Sequence, residues 1–174
     1  LRDISEKYSQ LQQSMASAER IFSLLDTPPQ IESPPDPVKV GPLQDRLRFE
    51  NVSFAYNDED WVLEDVSFDV RKGEVVAIVG ATGSGKSTIC NLLLRLVETS
   101  DGTVSLDGHD VRSVTLASLR GAFGYVPQDT FLFSDTVREN IRFGRPDATD
   151  EDVRKAAEIA GIGQEIEDFP RGMD

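Results

Sequence analysis

Apolar residues recur at alternating steps of three and four over the first 25 positions, at Leu1, Ile4, Tyr8, Leu11, Met15, Ala18, Phe22 and Leu25. That spacing lays one apolar stripe along a helix. At 1.5 Å per residue the helix would run roughly 38 Å, too far for a small domain to cover the whole stripe. It is expected either to pack on its own domain or to continue as a coiled or membrane-proximal extension. Between residues 28 and 42 the pattern stops at Pro28, Pro29, Pro34, Pro35, Pro37 and Pro42. Proline forbids helix and lacks the amide donor of a central strand, so this stretch reads as a semi-rigid linker.

Past the linker the period shortens. LRFENVSFAY (47 to 56) and VLEDVSFDV (62 to 70) cluster β-branched and aromatic residues around a turn at Asp58-Glu59-Asp60, which predicts two paired strands. EVVAIVG (74 to 80) is apolar without alternation, as expected of a strand buried on both faces. The helix after it should turn Ile89, Leu92, Leu93 and Leu96 inward. Asp101-Gly102 and Asp107-Gly108 bracket a further strand, TVSLD. A short helix, LASLR, and a strand, FGYV, lead to Pro127-Gln128. From residue 136 the period is helical, first in TVRENI and then in a longer segment. The second opens on a capping box of Thr149 and Asp152, with Val153, Ala156, Ala157 and Ala160 as its stripe.

Composition narrows the chemistry. With 39% apolar and 28% charged residues, the chain has the make-up of a folded globular protein rather than a disordered one. A net charge of −13 argues against a nonspecific nucleic-acid surface, which needs Lys and Arg to displace counterions. Any bound anion must be held locally. Cys90 and His109, the one residue of each kind, are too few for a zinc site or an internal disulfide, which fits a reducing compartment. Cys90 reads as a small buried side chain, His109 as a solvated turn residue, and Trp61 with its acidic neighbours as a wet loop. No run approaches the 18 apolar residues of a membrane span, so this stretch is expected to be soluble. It opens on Leu rather than Met, and is expected to be a fragment of something longer.

One segment supplies a local anion site. Gly80-Ala81-Thr82-Gly83-Ser84-Gly85-Lys86-Ser87 has the form G-x-x-x-x-G-K-[ST], which chance supplies on the order of once in a hundred chains of this length. It follows an apolar run and opens a helix, the context a phosphate-binding loop requires. Wrapping a triphosphate in inward-pointing amides needs glycine where the chain bends into conformations closed to other residues. The helix start adds its unsatisfied amides and about half a positive charge. Lys86 would add a full charge at the β and γ phosphates, Ser87 a hydroxyl for Mg²⁺, and Thr88 a contact on the α-phosphate side.

The flanks of the loop carry a resemblance. Tyr56 lies 24 residues before Gly80 at the end of a strand, and YVPQDTFLFSDTVRENI begins 45 residues after it with Gln128 inside. Over residues 47 to 174 the chain resembles the nucleotide-binding domain of an ABC transporter, of the exporter type in which membrane and ATPase domains share one polypeptide. The resemblance implies an α/β fold: a P-loop NTPase core with an antiparallel β-subdomain and the start of a helical subdomain, preceded by a long amphipathic helix. It divides the chain into that helix as an extension of a membrane-domain helix (1 to 27), the proline-rich linker (28 to 45) and the N-terminal part of the ATP-binding domain (46 to 174).

The resemblance also implies roles. Tyr56 would stack on adenine, with Val62 near the base and ribose. Gly80, Ala81, Thr82, Gly83, Ser84, Gly85, Lys86, Ser87 and Thr88 would hold the phosphates of ATP. Gln128 would touch Mg²⁺ or the attacking water. Lys86 and Gln128 are thus the catalytic candidates, and Ser87 and Gln128 the metal candidates. The segment from Asp129 to Ile141, with Phe131, Leu132 and Phe133 in a row, would receive the coupling helices of the membrane domain, self-burial being the alternative. A second ATP-binding domain, identical or different, would be the other partner, at the cytoplasmic face of the cell membrane.

The chain holds no LSGGQ-like signature, no apolar run ending in Asp-Glu and no switch histidine. It is expected to bind ATP without turning it over, while the parent exports a substrate this sequence does not name. The competing readings are a soluble ABC ATPase and a P-loop enzyme outside the family, such as a nucleotide kinase. The spacings of Tyr56 and Gln128 disfavour the last.

Overall fold

The computed structural model describes residues 2–57 and 60–174. Leu1, the Ile4 side chain, and Asp58 and Glu59 of the acidic turn lie outside the described residues. The chain divides into two units, Leu1–Gly124 and Tyr125–Asp174.

The first unit opens with helix α1, Arg2–Leu25. Tyr8, Leu11, Met15, Phe22 and Leu25 on its apolar stripe are all exposed. The helix is therefore amphipathic without a covered face among its described residues. Two long strands follow, β1 (Arg46–Ala55) and β2 (Trp61–Arg71), then β3 (Asp101–Leu106) and β4 (His109–Asp110). They form one antiparallel sheet in the order β2-β1-β3-β4. Phe49 lies at its centre, paired with Phe68 across β2 and with Val104 across β3, and the two phenyl rings stack with centroids 4.6 Å apart. Helix α2, Lys86–Leu93, and helix α3, Leu116–Gly121, contribute Leu92 and Leu119 to the same core, beside Val52, Phe54, Leu63, Leu106 and Val114. Each such fully buried side chain contributes about 1.5–3 kcal/mol.

Three expectations along the chain are corrected. Residues 74–80 form no strand: Val75 and Val79 are 95% and 91% exposed, not buried on both faces. FGYV is not a strand either, with Tyr125 and Val126 exposed. The physical reason is common to both. A run apolar on both sides holds extended form only between neighbouring strands, and among the described residues no segment pairs with either. On α2, Leu92 is buried and Ile89 and Leu93 half-buried, but Leu96 is exposed, because the helix ends at Leu93 and Arg95, at a positive φ of 49°, turns the chain away.

The proline-rich stretch is tied by backbone bonds to the segment between β4 and α3. Val38 pairs with Val114, donating to Ser113 and accepting from Thr115 at 2.9 Å each. Further along, the Asp107 carboxylate accepts from the amides of Gln44, Asp45 and Arg46 at 2.8, 2.8 and 3.0 Å. Burial pushes the Asp107 carboxyl up, yet these three donors outweigh it and hold it below the ordinary carboxylate value of 3.8. A lowered carboxylate stabilises the fold fully above its unfolded pKa, and the contribution fades as pH falls through the folded value. Asp107→Asn should therefore lower stability by about 1 kcal/mol at pH 7 and flatten the loss of stability below pH ~4. Melting curves from pH 7 down to 3 check this; parallel curves for the two proteins would refute it.

The second unit is helical: α4 (Val137–Arg142), α5 (Asp150–Ile159) and α6 (Gly163–Glu167). The capping box at Thr149 and Asp152 is present, each side chain accepting from the other's backbone amide. Val153 and Ala157 are buried with Ile166, while Ala156 and Ala160 are exposed, so the stripe is narrower than the sequence suggested. Arg138 and Arg142 both pair with Asp150 and bind α4 to the start of α5.

Candidate nucleotide-binding site

The glycine loop leads directly into α2. Gly83 and Gly85 both sit at φ 84°, in the left-handed region that only glycine enters without strain. Gly85 is the N-cap and offers no side chain to the first-turn amides, leaving those donors for water or a ligand. A Cβ on Gly85 would stand 2.8 Å from Leu63 Cδ2 and 3.2 Å from Val62 Cγ1, so the start of β2 packs against the loop's last glycine. Gly80 faces Ser84, whose Oγ would lie 2.5 Å from a Cβ there.

Lys86 turns back over the loop, its Nζ donating to the carbonyls of Gly80 at 2.9 Å and Ala81 at 2.7 Å. A cation held by two neutral carbonyls is a weakly satisfied one, ready to exchange them for anionic oxygens. Ala81, Thr82 and Ser87 are exposed. Thr88 is 5% exposed, and its hydroxyl lies 3.4 Å from the Tyr56 hydroxyl. Tyr56 follows the last residue of β1, is 56% exposed and meets Phe54 edge to face at 4.8 Å. The first unit thus gathers Tyr56, Val62 and residues 80–88 in one place. Gln128 belongs to the second unit, exposed in a stretch without helix or strand.

Elsewhere in the second unit, Phe131 and Leu132 are 76% and 78% exposed, and Phe133 meets Phe131 and Phe143 at 5.0 and 4.5 Å. Cys90 is half-buried rather than buried, and His109 is exposed as expected, though it opens β4 instead of standing in the turn. Trp61 pairs with Ala55 as the first residue of β2 rather than standing in a loop.

Sequence reasoning missed Arg95 and Arg120. The Arg95 side chain is nearly buried and donates to Glu98 at 2.6 Å, while Arg120 donates to the carbonyls of Leu94 and Arg95. Arg120 thus satisfies the two carbonyls that follow the last residue of the helix whose other end faces the glycine loop, while Arg95 is held by Glu98. The Arg-x-x-Glu spacing was the one available signal.

A glycine loop opening a helix, backed by an antiparallel sheet with an aromatic residue at the end of a strand, defines a P-loop nucleotide-binding domain. Comparison with known proteins places it more closely. The family model described as ABC transporter matches residues 63–172. An ATP-dependent lipid A-core flippase of Desulfotalea psychrophila is 40% identical over 174 residues, covering 100% of this chain and 30% of its own. The mitochondrial iron-sulfur clusters transporter atm1 of Aspergillus fumigatus is 44% identical over 176 residues, covering 99% of this chain and 24% of its own. A solved bacterial Atm1-family ABC exporter with ATP bound superposes with a TM-score of 0.83 at 38% identity, over 96% of this chain and 29% of that one. The chain belongs to the ABC transporter family, among the ATP-binding domains of its exporters. It spans less than a third of the length of these relatives. Among the described residues no helix is long and apolar enough to cross a membrane.

Proposed function

We propose that this chain binds Mg·ATP as the nucleotide-binding part of an exporter, in which ATP hydrolysis drives movement of a substrate across a membrane. The observation that carries the reading is the gathering of Tyr56, Val62 and the loop 80–88, with Lys86 and the open α2 amides converging on one side. Amides and a lysine ammonium recognise a chain of phosphates, and an exposed phenol ring recognises the flat face of a base. Thr88 serves the α-phosphate side and Val62 the base and ribose.

Mg²⁺ fits the donor set. Among the described residues no three His, Cys, Asp or Glu side chains are grouped to hold a metal by themselves. Mg²⁺ prefers a few hard protein oxygens plus substrate phosphates, and the exposed Ser87 hydroxyl is that kind of ligand; the family reading adds the Gln128 amide oxygen as a second. Bound there, the ion would neutralise charge between the β and γ phosphates. Lys86 would hold the same phosphates, and Gln128 would also orient the attacking water.

The domain reading follows from the same family. Residues 1–27 extend a membrane-domain helix, 28–45 form the linker and 46–174 the first part of the ATP-binding domain. The exposed apolar stripe of α1 and the uncovered Phe131 and Leu132 support two contacts with a membrane domain, the second through coupling helices near 129–141. A second ATP-binding domain, identical or different, would complete the site at the cytoplasmic face of the membrane. The cargo stays unassigned, because the relatives' own names differ in what they carry.

Tyr56→Ala tests the base end of the site. Loss of a stacking ring should weaken Mg·ATP binding by about 1–3 kcal/mol, roughly 5- to 100-fold. Calorimetric titration of the purified chain reads this directly, and an unchanged affinity would remove Tyr56 from the site.

A further inference from the structure

We propose that Phe54 is a positioning residue for the nucleotide base: its ring, seated in the core beside Tyr56, sets the plane that Tyr56 offers to adenine. The inference rests on the reading of Tyr56 as the stacking residue and adds a second residue through which that stacking works.

Tyr56 lies one residue past the end of β1, where ladder pairing has stopped, so the sheet does not fix its side chain. Two contacts do. The phenol hydroxyl lies 3.4 Å from the Thr88 hydroxyl, and the ring meets the Phe54 ring at 4.8 Å with an interplanar angle of 85°. The two contacts constrain different motions. A tyrosine hydroxyl lies on the axis about which its ring turns at χ2, and that torsion is broad and two-fold. Holding the hydroxyl at Thr88 fixes where the axis points and leaves the ring free to spin about it. Only an edge-to-face neighbour resists the spin, because turning the ring from near 90° toward a face-to-face approach loses the favoured quadrupole geometry.

Phe54 is suited to that task because it cannot itself move. It is 5% exposed, belongs to the core cluster with Val52 and Leu63, and alternates inward on β1. A rigid buried ring next to a half-exposed one transfers the order of the core to the surface. Stacking on a base needs the ring's face presented in one plane, and a ring already held there loses less freedom on binding.

The experiment compares two ligands on the 174-residue chain: Mg·ATP, and Mg·tripolyphosphate, which has the phosphates but no base. Phe54→Leu, Tyr56→Ala, the double variant and Val52→Ala are titrated with both, after circular dichroism confirms folding. Phe54→Leu should weaken Mg·ATP about three- to tenfold and leave tripolyphosphate unchanged. Added to Tyr56→Ala, it should have no further effect on ATP. Val52→Ala, buried on the same strand but with no ring to set against Tyr56, should not change the ratio of the two affinities. Should Phe54→Leu fail to fold, Phe54→Met replaces it. Weakening of both ligands alike, an undiminished effect in the Tyr56→Ala background, or an equal effect from Val52→Ala would each overturn the proposal in favour of plain core support. An unchanged ATP affinity for Phe54→Leu alongside a weakened one for Tyr56→Ala would also overturn it. No effect of Tyr56→Ala would instead strike down the stacking reading on which it rests.

Discussion

Lys86→Ala should weaken Mg·ATP binding by about 10- to 100-fold while leaving the circular dichroism spectrum unchanged. The size follows from the type of bond: hydrogen bonds to charged groups contribute about 1.5–3 kcal/mol each. In this structure the Lys86 ammonium spends its donors on the Gly80 and Ala81 carbonyls. A triphosphate would replace neutral acceptors with anionic ones, so the gain on binding is the difference between the two. Removing the ammonium also leaves those carbonyls to water, which is available because the loop is exposed. The variant should therefore remain folded and lose affinity alone. Lys86→Arg should recover only part of the loss, since the planar guanidinium does not match the reach of a compact ammonium over two carbonyls. An alanine variant that binds as tightly as the parent would show that the loop's amides suffice.

The second large effect concerns the fold rather than the ligand. Gly102→Ala should destabilise the chain by about 3 kcal/mol and lower Tm by about 10 °C. Gly102 lies at φ 79° at the start of β3, opposite a break in the β1–β3 register between Glu50 and Ser53. Asn51 occupies that break at φ 49°, and its side chain donates to Asp65 at 2.7 Å on the neighbouring strand. A Cβ on Gly102 would stand 2.5 Å from the Glu50 carbonyl oxygen and closer still to the Asn51 carbonyl. Both are backbone atoms, so no rotamer change relieves the clash. Gly108 provides the comparison: its φ is 81°, but nothing lies within 4 Å of a Cβ there. Gly108→Ala should cost only the left-handed strain, about 1–2 kcal/mol. Equal melting shifts for the two variants would mean that the close approach of Gly102 to β1 plays no part.

Several features were legible in the sequence because they depend on short-range rules. The glycine loop and its lysine follow from spacing, as does the capping box at Thr149 and Asp152, since both are contained within eight residues or fewer. The Asp107-Gly108 turn was equally plain, its two residues at φ 50° and 81° joining β3 to β4. Flanking Tyr56 and Gln128 narrowed the family, and the comparisons agree with that family.

Other features depended on groups far apart in the chain. Asp107 reaches back more than sixty residues to cap the approach to β1, an arrangement no local pattern announces. The Arg120 side chain closes the end of α2 from 25 residues away, through the Arg95 carbonyl. The apolar run 74–80 shows the limit most clearly. Its composition determined that it could be a buried strand, but strand formation needs partners on either edge, and in this structure Val75 and Val79 remain exposed. Hydrophobic pattern and loop chemistry are properties of the sequence alone, since each is set by neighbours within a turn or two. Which apolar segments find partners, which carboxylate finds three amides, and how one ring stands against another are decided only when distant residues meet.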